Sequence, residues 1–100
     1  MSAYIIVQNV VTDAARMEQY VPMAVETLVV HGAEILAAAD EATVLDGESS
    51  FPRTVILKFA SREAAMAWYQ SPEYQEALPL RLQSTRGFLV LVDGLDDTAP

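Results

Sequence analysis

A small set of side chains in this sequence could bind or transform a small molecule. They are Trp68, Tyr69, Tyr74, Arg53, Arg81 and His31. Small-molecule pockets are typically lined by apolar and aromatic side chains with a few polar groups, and arginine can hold a carboxylate through two parallel hydrogen bonds. The set therefore indicates a pocket for a small polar or anionic molecule. It specifies no catalytic residue, because the sequence places no acid, base and nucleophile beside one another.

The single histidine is the first place to look for a general base, because His31 is the residue whose unperturbed pKa lies nearest neutrality. It also stands just before Gly32, at the expected end of a helix. There a partly charged imidazole would complement the helix dipole without any catalytic role. Capping and base chemistry are both consistent with this position.

The aromatic residues lie around an expected helix break at Ser71-Pro72. Trp68 shares a helical face with small apolar residues, which favours packing in the core. Tyr69 and Tyr74 are equally consistent with packing and with the wall of a pocket between helix and sheet.

The basic residues also have two interpretations. Arg53 begins a strand and Arg81 follows a proline in a late helix, so both are expected at the surface in weak salt bridges, unless they orient a ligand. Lys58 falls in mid-strand on the face of Ile56, where it would extend along the sheet, lie at a dimer rim or act in catalysis.

Composition excludes several classes of function. The net charge is −8, from 14 acidic and 6 basic residues, so neither nucleic acid nor an anionic membrane is an expected partner. Without cysteine, and with one histidine, disulfides and a structural metal site are not expected, and no cofactor is predicted. The first residues lack a basic signal region and no apolar run would span a membrane, so we expect a cytoplasmic protein.

Hydrophobic patterning predicts the elements that position these residues. Four strands are expected, at residues 3–10, 34–39, 53–60 and 88–92. The second strand is expected to continue at residues 43–45, after a bulge or a strand bend at Asp40-Glu41. Helices are expected from Ala14 to His31, kinked or broken at Pro22, and from Arg62 to Gln70, restarting at Pro72. The order is β-α-β-β-α-β, which predicts an α+β, ferredoxin-like fold: a four-stranded antiparallel sheet with two helices on one face. Residues 1–94 form one domain and residues 95–100 an acidic, frayed tail.

The strands are apolar on both faces, although two helices cover only one. Phe88, Val90 and Val92 oppose Leu89 and Leu91 in the last strand, and the first and third strands show the same pattern. Because an apolar sheet face in water would be an unusually large patch, we expect a homodimer joined through the sheet faces. Strong β propensity alone is the other explanation.

The most specific stretch of the chain is residues 61–81, with its pattern Trp68-Tyr69-x-Ser71-x-x-Tyr74. Matching features elsewhere are Tyr4-Ile5-Ile6-Val7, Gly32, Asp46-Gly47, Pro52-Arg53 and the terminal Phe88-Leu89-Val90-Leu91-Val92-Asp93-Gly94. Over nearly its whole length the chain resembles the uncharacterised "domain of unknown function thirteen-thirty" family.

This resemblance implies a dimeric α/β barrel, in which two ferredoxin-like sheets face each other. Relatives at the superfamily level include cofactor-free monooxygenases, muconolactone isomerase, EthD-like proteins and heme-using members, so the fold itself assigns no function. The chain has Ala38-Ala39-Asp40 where members often carry Arg-Gly-Gly, and Lys58 where they often carry glutamate. Sites built on those residues do not transfer to this chain.

Two functional hypotheses follow. The first is a small-molecule pocket between helices and sheet, with cofactor-independent isomerase or monooxygenase chemistry suggested by analogy. The alternative is a non-catalytic structural or regulatory dimer without a ligand pocket.

Overall fold

The computed structural model describes residues 1–95, which contain four strands and three helices. In chain order these are β1 (Ala3–Val11), α1 (Ala14–Val30), β2 (Glu34–Ala39), β3 (Arg53–Phe59), α2 (Arg62–Gln70), α3 (Pro72–Ser84) and β4 (Thr85–Asp93). The strands form one antiparallel sheet in the order β2-β3-β1-β4. The predicted α+β ferredoxin-like fold is confirmed.

Short polar side chains begin each helix, as the sequence indicates. The side chains of Asp13 and Ser61 accept hydrogen bonds from the first turns of α1 and α2. Ser71 has two roles, because its Oγ donates to the Trp68 carbonyl at the end of α2 and accepts from the Tyr74 amide at the start of α3. The predicted restart at Ser71-Pro72 therefore separates two helices.

Two local predictions were wrong, and a third was wrong in part. The helix is not broken at Pro22, since α1 continues through it and Tyr20 and Ala24 on either side are held in the core; the expected kink there stays a prediction. β2 ends at Ala39 and does not resume at residues 43–45, because β3 begins only at Arg53 and leaves them without a partner strand. The register shift of β2 lies between Ile35 and Ala37 instead of at Asp40-Glu41.

The sheet has two distinct faces. Ala3, Ile5, Val7 and Asn9 of β1 are buried beneath the helices, and their cross-strand neighbours in β3 and β4 share that face. The opposite face, here called the open face, carries Tyr4, Ile6, Ile56, Lys58, Phe88, Val90 and Val92. The predicted alternation is confirmed, and Phe88, Val90 and Val92 are each about 40% exposed.

The core lies between the helices and the covered face, with Trp68, Tyr74 and Phe59 as its largest fully buried side chains. Within residues 1–95 no helix is long and apolar enough to cross a membrane. The domain range 1–94 stays a prediction. Of the tail expected at 95–100, residues 96–100 lie outside the described residues.

Candidate functional site

A cavity of about 130 Å³ lies between α1 and the covered face of the sheet. Its walls are mostly apolar: Val7, Val21, Ala24, Val25, Leu28, Ile35, Ala38, Val55, Leu57, Trp68 and Leu89. The polar side chains in the lining are Tyr20, Arg53 and Arg81. An engineered apolar cavity of about 150 Å³ holds benzene, so this cavity matches a ligand of about one ring.

Arg81 is buried, contrary to the expectation of a surface position. It is 7% exposed, and its Nε donates to the hydroxyl of Tyr74 at 3.2 Å. The helical spacing of α3 gives the reason, because Tyr74, Ala77, Arg81 and Ser84 form its buried stripe. That spacing is a signal in the sequence that could have placed Arg81 inside.

No acid neutralises either arginine within the described part of the chain. Neither Arg81 nor Arg53 forms an ion pair there, and the cavity lining contains no carboxylate. The chain as a whole has 14 acidic residues against 6 basic ones. Arg81 therefore stands out, because a buried charge is normally paired, and the half-buried Arg53 adds a second positive charge to the same lining.

Tyr20 contacts the buried Tyr74 and lies within the electrostatic influence of both arginines. Its hydroxyl lies 2.8 Å from the hydroxyl of Tyr74. Burial, followed by the neighbouring Tyr74, raises the pKa of Tyr20 above its ordinary value, while the positive charges of Arg81 and Arg53 act in the opposite direction. Tyr20 is thus a neutral phenol under the influence of both guanidinium groups.

Asn9 is a second polar residue that sequence reasoning missed. It is 1% exposed, and neither Nδ2 nor Oδ1 has a hydrogen-bond partner among residues 1–95. In the sheet it stands between Arg53 and Gly87. Gly87 has φ of 153°, and a Cβ there would overlap the Gln8 carbonyl oxygen. The signal in the sequence was the inward alternation of Ile5, Val7 and Asn9.

The predicted aromatic residues separate into different environments. Trp68 lines the cavity as a fixed wall, with Nε1 donating to Thr27 Oγ1 at 2.9 Å and its ring centroid 4.2 Å from that of Tyr74. Tyr74 lies behind the lining and reaches the cavity through its hydroxyl contacts. Tyr69 is half-buried and borders a separate groove beside β4.

His31 lies apart from the arginines. Its backbone amide caps α1 by donating to the Thr27 carbonyl, and its Nε2 is 3.9 Å from Glu73 Oε2. It lines a surface depression with Glu26, Glu73 and Glu76, and it is absent from the lining of the arginine cavity. The structure therefore places His31 as a helix cap.

Lys58 lies apart from this cavity. Lys58 is on the open face, in register with Tyr4 and Glu34, as its strand position predicted. In the range 1–95 no group of three histidine, cysteine, aspartate or glutamate side chains could hold a metal ion. The arrangement around Tyr20, Arg53 and Arg81 can bind and orient an oxyanion.

Sequence and structure comparisons define the relatives of the chain. A family model described as "Domain of unknown function (DUF1330)" matches residues 2–95, whereas no curated protein sequence matches. A protein of unknown function from Rhodopseudomonas palustris superposes with a TM-score of 0.80 at 14% identity, over 95% of this chain and 83% of its own. A dimeric ferredoxin-like protein of unknown function from Jannaschia sp. CCS1 gives 0.64 at 15% identity, over 94% and 100%.

A further solved neighbour has an assigned activity. SnoaB from Streptomyces nogalater, described as a cofactor-independent oxygenase, gives a TM-score of 0.64 at 7% identity, over 99% of this chain and 98% of its own. At these identities the neighbours establish the fold and nothing about the reaction.

Proposed function

The chain belongs to the DUF1330 family, which has no assigned function, and we propose from the site that it binds a small organic anion in the cavity between α1 and the sheet. The observation that carries the proposal is the pair Arg53 and Arg81, which line this cavity without a carboxylate among residues 1–95. Arg81 is buried while Arg53 is half-buried, and a buried charge without a partner is costly. An anionic ligand supplies the missing charge.

The cavity also limits the body of the ligand. Its apolar walls and volume of about 130 Å³ fit a group of about one ring. Arg81 and Arg53 would hold the acidic group, while Trp68 and Leu57 contact the ring. The ligand is therefore a small apolar molecule with one acidic group, and benzoate is the simplest probe.

Binding is the extent of this proposal. A reaction that removes a proton from the ligand requires a base, and the described lining contains no histidine or carboxylate. The rival hypothesis of a dimer without a pocket predicts that no small anion stabilises the protein.

The test is isothermal titration calorimetry of the full chain with benzoate and, as a control of the same shape and opposite charge, benzylamine. Benzoate should bind and benzylamine should not. Arg81→Met should abolish binding, whereas Arg62→Met, which removes an exposed guanidinium paired with Asp93 at 3.1 Å, should leave it unchanged. Equal binding of both probes, or benzoate binding that survives Arg81→Met, would refute the proposal.

The open face supports a second proposal, that two copies of the chain pack sheet against sheet. Its central residues are apolar, with Phe88 and Val90 about 40% exposed. Of its charged members, Lys58 and Glu34 stand side by side in register with opposite charges, and Arg86 lies toward the end of β4. The neighbour from Jannaschia is itself described as dimeric. A twofold contact would cover the apolar face in both copies.

A further inference from the structure

The Tyr74 hydroxyl makes two hydrogen bonds, and the direction of one of them is fixed by chemistry. Arginine can only donate, so the Arg81 Nε–H donates to the Tyr74 hydroxyl oxygen. Tyr74 is fully buried, and within the described residues the one acceptor that its own proton reaches is the Tyr20 hydroxyl at 2.8 Å. Either hydroxyl can be the donor of this contact, and the arrangement in which Tyr74 donates to Tyr20 is favoured, because the opposite arrangement would leave an unsatisfied donor at the fully buried Tyr74.

This direction determines what Tyr20 offers to the cavity. Its oxygen accepts from Tyr74, and its own proton has no acceptor in the part of the chain that the structure describes. Tyr20 is itself part of the cavity lining. The Tyr20 hydroxyl therefore presents a donor to the cavity.

The other polar groups of the lining are donors as well. The Arg81 guanidinium makes its one hydrogen bond to residues 1–95 through Nε, which leaves its Nη groups available. Arg53 forms no side-chain hydrogen bond within that range, and the indole N–H of Trp68 is used by Thr27. All other lining side chains are apolar. The cavity lining thus offers several donors and, with Tyr20 accepting from Tyr74, no free side-chain acceptor among the described residues.

We propose that the cavity selects the deprotonated form of a weak acid, and that the Tyr20 hydroxyl is the specificity-determining donor. This inference rests on the proposed function, since it names the ionisation state that the same cavity recognises. A carboxylate or phenolate oxygen accepts from all three groups. The neutral amide or phenol of the same shape brings a donor hydrogen that has no acceptor there.

The selection has a chemical consequence for a bound weak acid. When only the anion binds, the acid releases its proton to the solvent and the site holds the remaining oxyanion, without any covalent step. The bound acid then ionises at a lower pH than the free acid does. The guanidinium groups supply the charge, while Tyr20 adds a hydrogen bond that is lost when the ligand oxygen is protonated.

The test uses 4-nitrophenol, whose phenolate is yellow and whose phenol is colourless. In buffer below the pH of half-ionisation, the wild-type protein should increase the yellow fraction. Tyr20→Phe should weaken phenolate binding about tenfold, as expected for a hydrogen bond to a charged group. Tyr69→Phe removes a tyrosine hydroxyl that is not part of the cavity lining, so it should behave as the wild type.

A second measurement needs no variant, which covers the case that Tyr20→Phe does not fold. Calorimetry with wild-type protein should show benzoate binding at least about tenfold more tightly than benzamide. Benzoate binding without this preference, or 4-nitrophenol bound as the colourless phenol, would overturn the inference and leave the proposed function standing. Failure of both benzoate and 4-nitrophenol to bind would overturn both. Unchanged phenolate binding in folded Tyr20→Phe would overturn the role of Tyr20.

Discussion

Replacement of Arg81 by methionine should stabilise the ligand-free protein while it removes anion binding. In the structure Arg81 is 7% exposed, and its guanidinium makes one hydrogen bond to a neutral hydroxyl and has no acidic partner among the described residues. Methionine retains the apolar part of the side chain and removes the charge. The usual assumption that a buried polar contact stabilises the fold predicts the opposite sign.

The expected magnitude follows from two opposing terms. Loss of the Arg81–Tyr74 hydrogen bond costs about 1 kcal/mol. Removal of a desolvated, unpaired charge gains more, because the penalty for burying one ion in a protein is several kcal/mol. We therefore expect the free energy of unfolding to rise by about 1–3 kcal/mol, where each kcal/mol raises the melting temperature by about 4–8 °C in a domain of this size.

The assay is urea unfolding followed by Trp68 fluorescence in a low-salt buffer without organic anions. Arg62→Met is the matched control, because its ion pair with Asp93 is exposed and should change stability by less than about 0.5 kcal/mol. Added benzoate should stabilise the wild type by about 2.7 kcal/mol at 100 times its dissociation constant, and leave Arg81→Met unchanged. Destabilisation of ligand-free Arg81→Met by more than about 1 kcal/mol would show that the protein itself satisfies the guanidinium, and the argument for a ligand anion would fail.

Two further predictions concern Tyr20 and the open face. Burial raises the pKa of Tyr20, so the folded protein keeps the Tyr20 proton above pH ~10, where an unfolded tyrosine releases it. The unfolded state then binds fewer protons than the folded state, and the free energy of unfolding should fall as the pH rises above ~10. Tyr20 should contribute up to about 1.4 kcal/mol per pH unit to this fall. Urea midpoints from pH ~9 to ~11 should decline less steeply for Tyr20→Phe, and parallel declines would contradict the prediction. Val90→Asp on the open face should convert a dimer to a monomer in light scattering, whereas Val29→Asp on the exposed side of α1 should not. A monomeric wild type at micromolar concentration would refute the sheet-to-sheet dimer.

The fold was predictable because its signals are local. Strand alternation, the serine and aspartate caps and Gly32 each act over a few residues, and together they define the element order. The errors at residues 43–45 and in the position of the β2 register shift are of another kind. Whether a strand continues depends on the partner strand, and the start of β3 decides where β2 ends.

The candidate site was predictable only in part. Arg53, Arg81 and Trp68 were singled out by residue type, and they do line one cavity. The burial of Arg81 was missed because proline and arginine suggested an exposed helix end, although the spacing of α3 indicated otherwise. The contact between the Tyr20 and Tyr74 hydroxyls joins residues 54 positions apart, so only the tertiary structure could show it.

Ser71 has a consequence for how the cavity can be reached. Since one side chain ends α2 and begins α3, no slack segment lies between the helix that carries Trp68 and the helix that carries Arg81. Movement of α2 away from α3 would break both of these hydrogen bonds, so the wall of the cavity that carries Trp68 and Arg81 is expected to be rigid. The opposite wall is different, because the lining residues Ile35 and Ala38 lie on the exposed edge strand β2. For the proposed anion we therefore expect entry beside β2, toward Arg81 on the rigid wall.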